Sequence, residues 1–378
     1  MEIYFDNSAT TKPYEEVIEA VSDSMRNIYG NPSSAHGLGL KAEQKLNECR
    51  EKLSKTINCS KEEIIFTSGG SESNNFLIRG FVKEGGHIIT SKIEHASVIG
   101  TCRELEKKGV RVTYLDIDSN GRIDLEELKK EINKDTQLIT IMHVNNEIGT
   151  IQDIETIGKV IKEKSSRAKF HVDAVQSYGK FTIDVARCKV DLLSASGHKI
   201  HGPRGVGFAY VKKGLNPMPL IFGGGQERSF RSGTENLPAV VGLAAAAEKI
   251  YKNNIGNYNK VKELNAYFIE KLKTLEGIKV NSEGEYFSPY ILNVSFKGVR
   301  AEVLLHLLEE KGIYVSTGSA CSSKDTRDSH VLLALGLKND EIKGTIRFSF
   351  SEDNTKEEVD YTIKVLEASL EFLRRVSK

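Results

Sequence analysis

From residue 15 to residue 275 the chain alternates short apolar runs with longer amphipathic stretches, and no other feature restricts its fold as strongly. The runs at 63–68, 87–91, 110–116, 137–144, 170–174 and 205–211 read as strands, and helical patterns start at Val98, Asp124 and Ile154. Strand followed by helix, repeated, requires crossover connections. The expected fold is therefore α/β, with a mostly parallel central sheet covered on both faces. A chain of 378 residues exceeds the usual single core, so two domains are expected. A small-residue helical stretch begins at Leu237, and the polar run at 253–258 reads as a boundary. Beyond it come a charged helix (260–275), a strand from Ile291, a helix (301–310), a loop around Cys321, a strand from Thr345 and a closing helix (357–375). We expect a large domain over 13–255. Residues 1–12 and 256–378 should form a smaller C-terminal α/β domain that includes a flexible cysteine-bearing loop at about 316–330.

In a parallel sheet, ligand sites lie beyond the carboxyl ends of the strands, so the residues just after each apolar run carry the information. They are polar here. The first run leads into Gly69-Gly70-Ser71-Glu72-Ser73, where exposed N–H groups at a helix start suit a phosphate, or form only a turn and a cap. Later runs lead into Glu94-His95, Asn145-Asn146-Glu147, Asp173 with Gln176, and Ser194-Ala195-Ser196-Gly197-His198-Lys199. Singly, each has a structural explanation: a cap, a satisfied histidine, a solvated lysine. Collected at one sheet edge, they are an anion seat, an aromatic base, an amide, a carboxylate and an amine. A pyridine cofactor uses that set: Lys199 as imine partner of its carbonyl, Asp173 against its ring nitrogen, and His95 stacked on the ring and exchanging protons. The Gly-rich polar loop from Gly223 carries Thr234, whose hydroxyl could reach a phosphate across a dimer interface.

Five cysteines, odd in number and widely spread, suit a reducing cytoplasm with free thiols. Cys321 stands in a run of small and polar residues without apolar periodicity, which marks a flexible loop and makes it the candidate if a single thiol is chemically active. Cys49 and Cys102 fall in helical patterns, and Cys59 and Cys188 precede strands. His198 and His201 lack a third ligand at suitable spacing, so no metal is expected. Residues 116–127 satisfy a calcium-loop pattern, but a strand pattern precedes them where a helix is needed. A strand, a tight turn and a capped helix is the reading. With 53 basic and 52 acidic side chains, charge suggests neither direct nucleic-acid nor membrane contact. No leader or membrane span is expected at the start or elsewhere.

The residues resemble, over essentially the whole chain, the cysteine desulfurases of the NifS and IscS type, class V aminotransferases with the fold-type I architecture of pyridoxal-phosphate (PLP) enzymes. The resemblance rests on DNSATT at Asp6, TSGGSESNN at Thr67, EHASV at Glu94, HVNNEIG at His143, HVDAVQSYGK at His171, SGHKIHGPRGVG at Ser196, RSGTEN at Arg231, GSAC at Gly318 and IRFSF at Ile346. It implies that Lys199 anchors pyridoxal 5'-phosphate, Asp173 pairs with the pyridine nitrogen and Gln176 bonds the phenolic oxygen, with His95 on the ring. Gly70, Ser71, Ser196 and His198, with Thr234 of a neighbouring subunit, would hold phosphate. Asn146, beside the cofactor, and Arg347 would bind the substrate carboxylate. Cys321 would be the nucleophile that takes sulfur from L-cysteine as a persulfide. The implied assembly is a homodimer that passes sulfur to an iron–sulfur scaffold or a tRNA-thiolation protein. Many relatives have threonine at Ser71, which keeps the hydroxyl. The longer C-terminal extension with which IscS proteins dock the scaffold is missing from this sequence, which leaves the acceptor open. Competing readings are a selenocysteine lyase or related class V lyase or aminotransferase, and a non-catalytic assembly or carrier subunit.

Overall fold

In a computed structural model of the chain, residues 2–317 and 329–376 are described. The elements run β1 (Ile3–Tyr4), α1 (Glu15–Asn27), α2 (Gly37–Thr56), β2 (Ile64–Thr67), α3 (Gly70–Phe81), β3 (His87–Ser91), α4 (Ala96–Glu106), β4 (Arg111–Leu115), α5 (Leu125–Glu131), β5 (Thr136–Met142), α6 (Ile154–Lys164), β6 (Lys169–Asp173), β7 (Leu192–Ser196) and β8 (Gly207–Val211). They continue with α7 (Leu237–Lys252), α8 (Asn254–Leu272), β9 (Ile278–Val280), β10 (Ile291–Phe296), α9 (Ala301–Glu310), β11 (Ile313–Tyr314), α10 (His330–Ala334), α11 (Asn339–Lys343), β12 (Thr345–Ser349) and α12 (Lys356–Val376).

Among the described residues, seven strands form the main sheet in the order β2-β8-β7-β6-β5-β3-β4. All run the same way except β8, which pairs antiparallel with both β2 and β7. The link from β7 to β8 is too short for a helical crossover, so a reversed neighbour is the available pairing. Side-chain alternation divides each strand between two layers. Phe170 and Val172 of β6, with Ile139 and Ile141 of β5, pack in the core shared with α1, α2, α6 and α7. Leu138, Ile88 and Leu192 face the opposite core with Phe76 to Ile78 of α3 and Val98 and Cys102 of α4. By that parity His171 and Asp173 of β6 and Ser194 and Ser196 of β7 project to the α3/α4 face. There Thr140 Oγ1, His171 and Ser194 Oγ form a buried chain, at 2.8 Å and 2.9 Å from the two imidazole nitrogens.

The helices end where the chemistry directs. Asp153 caps α6 by accepting from the Thr156 N–H at 3.1 Å, and Ile154, Ile157 and Ile161 then bury one face. Ile161→Ala would cost about 2–5 kcal/mol. Residues 116–127 form a turn in which Asp118 Oδ1 accepts from the Asn120 and Arg122 N–H groups at 2.8 Å and 2.9 Å. Asp124 then caps α5, so the strand, turn and capped helix are as read. A further core joins Ile3 and Phe5 to Phe268, Val294, Phe296, Phe348 and Leu366, around a three-stranded sheet in the order β12-β10-β9. The charged helix expected at 260–275 starts earlier, at Asn254. The polar run is its first turn, made helical because Val261, Leu264, Phe268 and Leu272 bury one side. No described helix is long and apolar enough to cross a membrane.

Candidate active site

A cavity of about 980 Å³ opens where the main sheet's parallel strands end. Every site residue expected from the sequence lines it except two. Thr234 is exposed on its own chain and lies away from the cavity. Cys321 lies outside the described residues, as does most of the loop expected at about 316–330.

Gly69, at φ 148°, turns the chain off β2 into α3, a backbone that an L side chain rarely adopts. Gly70, Ser71 and Glu72 are therefore the first residues of a helix whose leading N–H groups have no acceptor within it. The Glu72 carboxylate also grips Arg231 at 2.8 Å, tying the Gly-rich loop to this end of α3. Asp173, the last residue of β6, is buried; Oδ2 accepts from Asn74 Nδ2 at 2.7 Å and Oδ1 from the Val175 N–H at 3.0 Å. Each oxygen keeps a lone pair for a further donor. His95 caps α4, with Nδ1 accepting from the Ser97 N–H at 3.1 Å.

Lys199 follows β7 in a single 3₁₀ turn, and its Nζ donates to the carbonyls of Ser8 and Ala9, the latter at 2.9 Å. Gln176 Nε2 donates to the same Ser8 carbonyl at 2.9 Å, while its Oε1 faces the buried Lys180 Nζ at 3.5 Å. Burial pulls the Lys180 ammonium down to about 8. His198 Nδ1 meets Thr10 Oγ1 at 3.2 Å; burial, then the Lys199 and Arg204 charges, pull its imidazole down to about 4, so it is neutral at neutral pH. Arg347, on β12, reaches the cavity from the other sheet. It donates Nη1 to the Asn146 carbonyl at 2.9 Å and Nη2 to Asp6 at 2.8 Å, and its buried Nε has no acceptor among the described residues.

Sequence reasoning did not single out the wall made by Ser8, Ala9 and Thr10, nor Asn74, Ser97, Ser329 and His330, all of which line the cavity. The DNSATT run was a visible signal; the others emerge only once α3, α4 and α10 meet. Glu94 and Glu147 were noted only as neighbours of His95 and Asn146. Glu94 is fully buried: Oε1 accepts from Ser91 Oγ at 2.6 Å and the Met142 N–H at 3.1 Å, whereas Oε2 has no partner among the described residues. Burial pushes its carboxyl up to about 8. Glu147 accepts from Ser329 Oγ at 2.5 Å, and burial raises its carboxyl too.

This donor set fits pyridoxal 5'-phosphate. An amine, a buried carboxylate with lone pairs to spare and a helix start with unclaimed N–H groups meet the carbonyl, ring nitrogen and phosphate of that molecule in turn. The unpartnered Arg347 Nε adds a place for a carboxylate beside it.

The Aminotransferase class-V family model matches residues 3–362. The cysteine desulfurase IscS of Dictyoglomus turgidum is 43% identical over 381 residues, covering 100% of this chain and 96% of its own length. A solved structure described as a NifS-like protein has a TM-score of 0.93 at 41% identity, covering 98% of this chain and 100% of that one. A structure of SspA in complex with cysteine has a TM-score of 0.83 at 37% identity, covering 93% of this chain and 100% of that one. With the family model spanning nearly all of the sequence and relatives of this identity matching end to end, the chain belongs to the class-V aminotransferases, and within them to the NifS/IscS type.

Proposed function

We propose that the chain is a cysteine desulfurase that uses pyridoxal 5'-phosphate to convert L-cysteine to L-alanine, moving the sulfur to Cys321 as a persulfide for an acceptor protein. The observation that carries this reading is the meeting of the Lys199 amine, the Asp173 carboxylate and the α3 N-terminus at one cavity, with Arg347 beside them. It is supported by the relative named a cysteine desulfurase and by the similar structure holding cysteine.

When bound, the cofactor supplies an electrophilic carbonyl and an electron-withdrawing ring that weakens the bonds at the substrate α-carbon. Lys199 would anchor it, Asp173 would face its ring nitrogen, His95 its ring and Gln176 its phenolic oxygen. Gly70, Ser71, Ser196 and His198 would take its phosphate, with Thr234 from the partner subunit of a homodimer. Asn146 and the Arg347 guanidinium would hold the carboxylate of L-cysteine, orienting its α-hydrogen and sulfur. Released from its anchoring role, the Lys199 amine takes the α-proton at Nζ. The Cys321 thiolate then attacks the substrate sulfur; the carbon–sulfur bond breaks, its electron pair stays with carbon, which gains a proton, and alanine leaves.

The division into residues 13–255 and residues 1–12 with 256–378 is supported by the separate core around Phe268, Phe296 and Phe348, which draws in Ile3 and Phe5. An iron–sulfur scaffold or a tRNA-thiolation protein is the proposed acceptor, in a reducing cytoplasm and without direct contact with nucleic acid or membrane. Cys321→Ser tests the reading: the purified variant should keep the cofactor's visible absorbance and form no alanine from L-cysteine. Undiminished alanine formation would overturn it.

A further inference from the structure

We infer that Asn74 and Ser97 are positioning residues that tie the Asp173 carboxylate to the His95 imidazole and hold that imidazole as the tautomer with its proton on Nε2. The consequence for turnover rests on the desulfurase reading; the geometry does not.

Strand parity aims Asp173 at the α3/α4 face, and Asn74 meets it there from α3. The Asn74 amide nitrogen carries two hydrogens and no lone pair for accepting. One goes to Asp173 Oδ2 at 2.7 Å and the other to Ser97 Oγ at 2.8 Å. Rotating the amide by half a turn would set its oxygen against the carboxylate, so the charge on Asp173 fixes which atom faces it. That orientation leaves the buried Asn74 Oδ1 without a partner among the described residues, a cost that a strong bond on the nitrogen side offsets.

Ser97 Oγ accepts from Asn74, and its own hydrogen is then free to donate to His95 Nδ1, 2.8 Å away. The Ser97 backbone N–H donates to the same Nδ1 at 3.1 Å, and a backbone N–H has no accepting role. Nδ1 therefore presents its lone pair to two donors, and the ring proton resides on Nε2. The hydroxyl alone could take either role toward the ring, so it is the backbone N–H, which can only donate, that fixes Nδ1 as the acceptor.

The histidine therefore offers Nε2 as a hydrogen-bond donor. Accepting a proton there would require moving the existing one to Nδ1, against the Ser97 N–H. Abstraction of the α-proton falls to Lys199, and the role of His95 is to donate and to keep its ring plane fixed. This departs from the proton-exchanging role expected from the sequence.

Several titratable groups face the imidazole. Glu147, His330, Arg103 and Lys199 line the same cavity, Glu94 precedes it in the chain, and Asp173 lies three hydrogen bonds away through Asn74 and Ser97. A rate-against-pH curve would mix them all, so the ring itself is the thing to observe. Nitrogen NMR of the full chain with cofactor bound and 15N-labelled histidine, assigned by signal loss in His95→Gln, reads the tautomer directly. Over the pH range where the ring is neutral, the His95 signals should show a protonated Nε2 and a bare Nδ1. Ser97→Ala removes one of the two donors, so its ring should protonate at a pH higher by about one unit, and Ser97→Thr should restore wild-type behaviour. A proton on Nδ1 of the neutral ring in the wild type, or Ser97→Ala titrating like the wild type, would overturn the inference. Wild-type ring signals as expected, in a protein that forms no alanine from L-cysteine, would sink the desulfurase reading and leave the tautomer standing.

Discussion

Strand β3 carries a histidine at its start and another four residues past its end, and the two environments differ in kind. His87 is enclosed: Nδ1 meets Thr136 Oγ1 at 2.9 Å and Asn133 Nδ2 at 3.2 Å, and Nε2 meets Thr113 Oγ1 at 2.9 Å. Burial and then Arg111 lower its imidazole, so it rests neutral as part of the wall. At the carboxyl edge, around His95, Glu94 Oε2, Asn74 Oδ1 and Arg347 Nε are buried without partners among the described residues. Unsatisfied buried polar atoms each cost about 1–3 kcal/mol, so a fold has no reason of its own to gather them. The amino edge uses its polar groups to close the structure. The carboxyl edge holds more polarity than the described residues satisfy, and it is the edge at which the cavity opens.

The largest expected effect at the carboxyl edge comes from Lys199→Ala. Alanine formation should fall by at least about 10³-fold and the visible absorbance of the anchored cofactor should vanish, as spectra and product assays would show. Thermal stability without cofactor should change far less than activity, because the amine's bonds to the Ser8 and Ala9 carbonyls are to backbone groups in a part-buried wall. Next in size, His87→Leu at the amino edge should cost about 1–3 kcal/mol in denaturant unfolding while kcat per folded molecule stays within about twofold. A selective loss of kcat there would erase the contrast between the edges.

The smallest effect concerns Glu94. Its carboxyl is raised by burial from the ordinary 4.5 to about 8. Between those values the unfolded chain has released a proton that the folded chain keeps, so this group's contribution is fully present below about 4.5 and is lost as pH rises through about 8. Glu94→Gln mimics the neutral acid. The variant should lose less stability than the wild type between pH 5 and pH 8, by on the order of 1 kcal/mol, as paired denaturant titrations would report. Parallel pH profiles would mean that Glu94 is ionised in the folded protein.

Much of this contrast is legible in the sequence because both edges are defined by where apolar runs start and stop. Asp173 and Lys199 stand out as polar groups directly after buried strands, and period-2 alternation already places Asp173 on the face opposite Phe170 and Val172. Asn74 and Ser97 do not stand out. They lie 23 residues apart in ordinary helical stretches, and their shared hydrogen bond appears only when α3 and α4 pack side by side. The first turn of α8 was hidden for a related reason. Its local composition favours a linker, and burial of Val261, Leu264 and Phe268 overrides that preference. Arg347 was identifiable only through family resemblance, since nothing in the composition of its strand indicates that it reaches across to Asp6 and the cavity.

The four described cysteines supply an internal control for the sulfur-carrying role. Burial raises the thiols of Cys49 to about 11 and of Cys59 and Cys102 to about 12, and it raises Cys188 as well, so none offers an accessible thiolate near neutral pH. The most direct measurement is to incubate the cofactor-loaded protein with L-cysteine, map added sulfur residue by residue by mass spectrometry, and quantify alanine in the same sample. The account predicts one sulfur on Cys321 for each alanine formed in the first turnover. Alanine released with no sulfur on Cys321, or sulfur accumulating on a different cysteine, would contradict it.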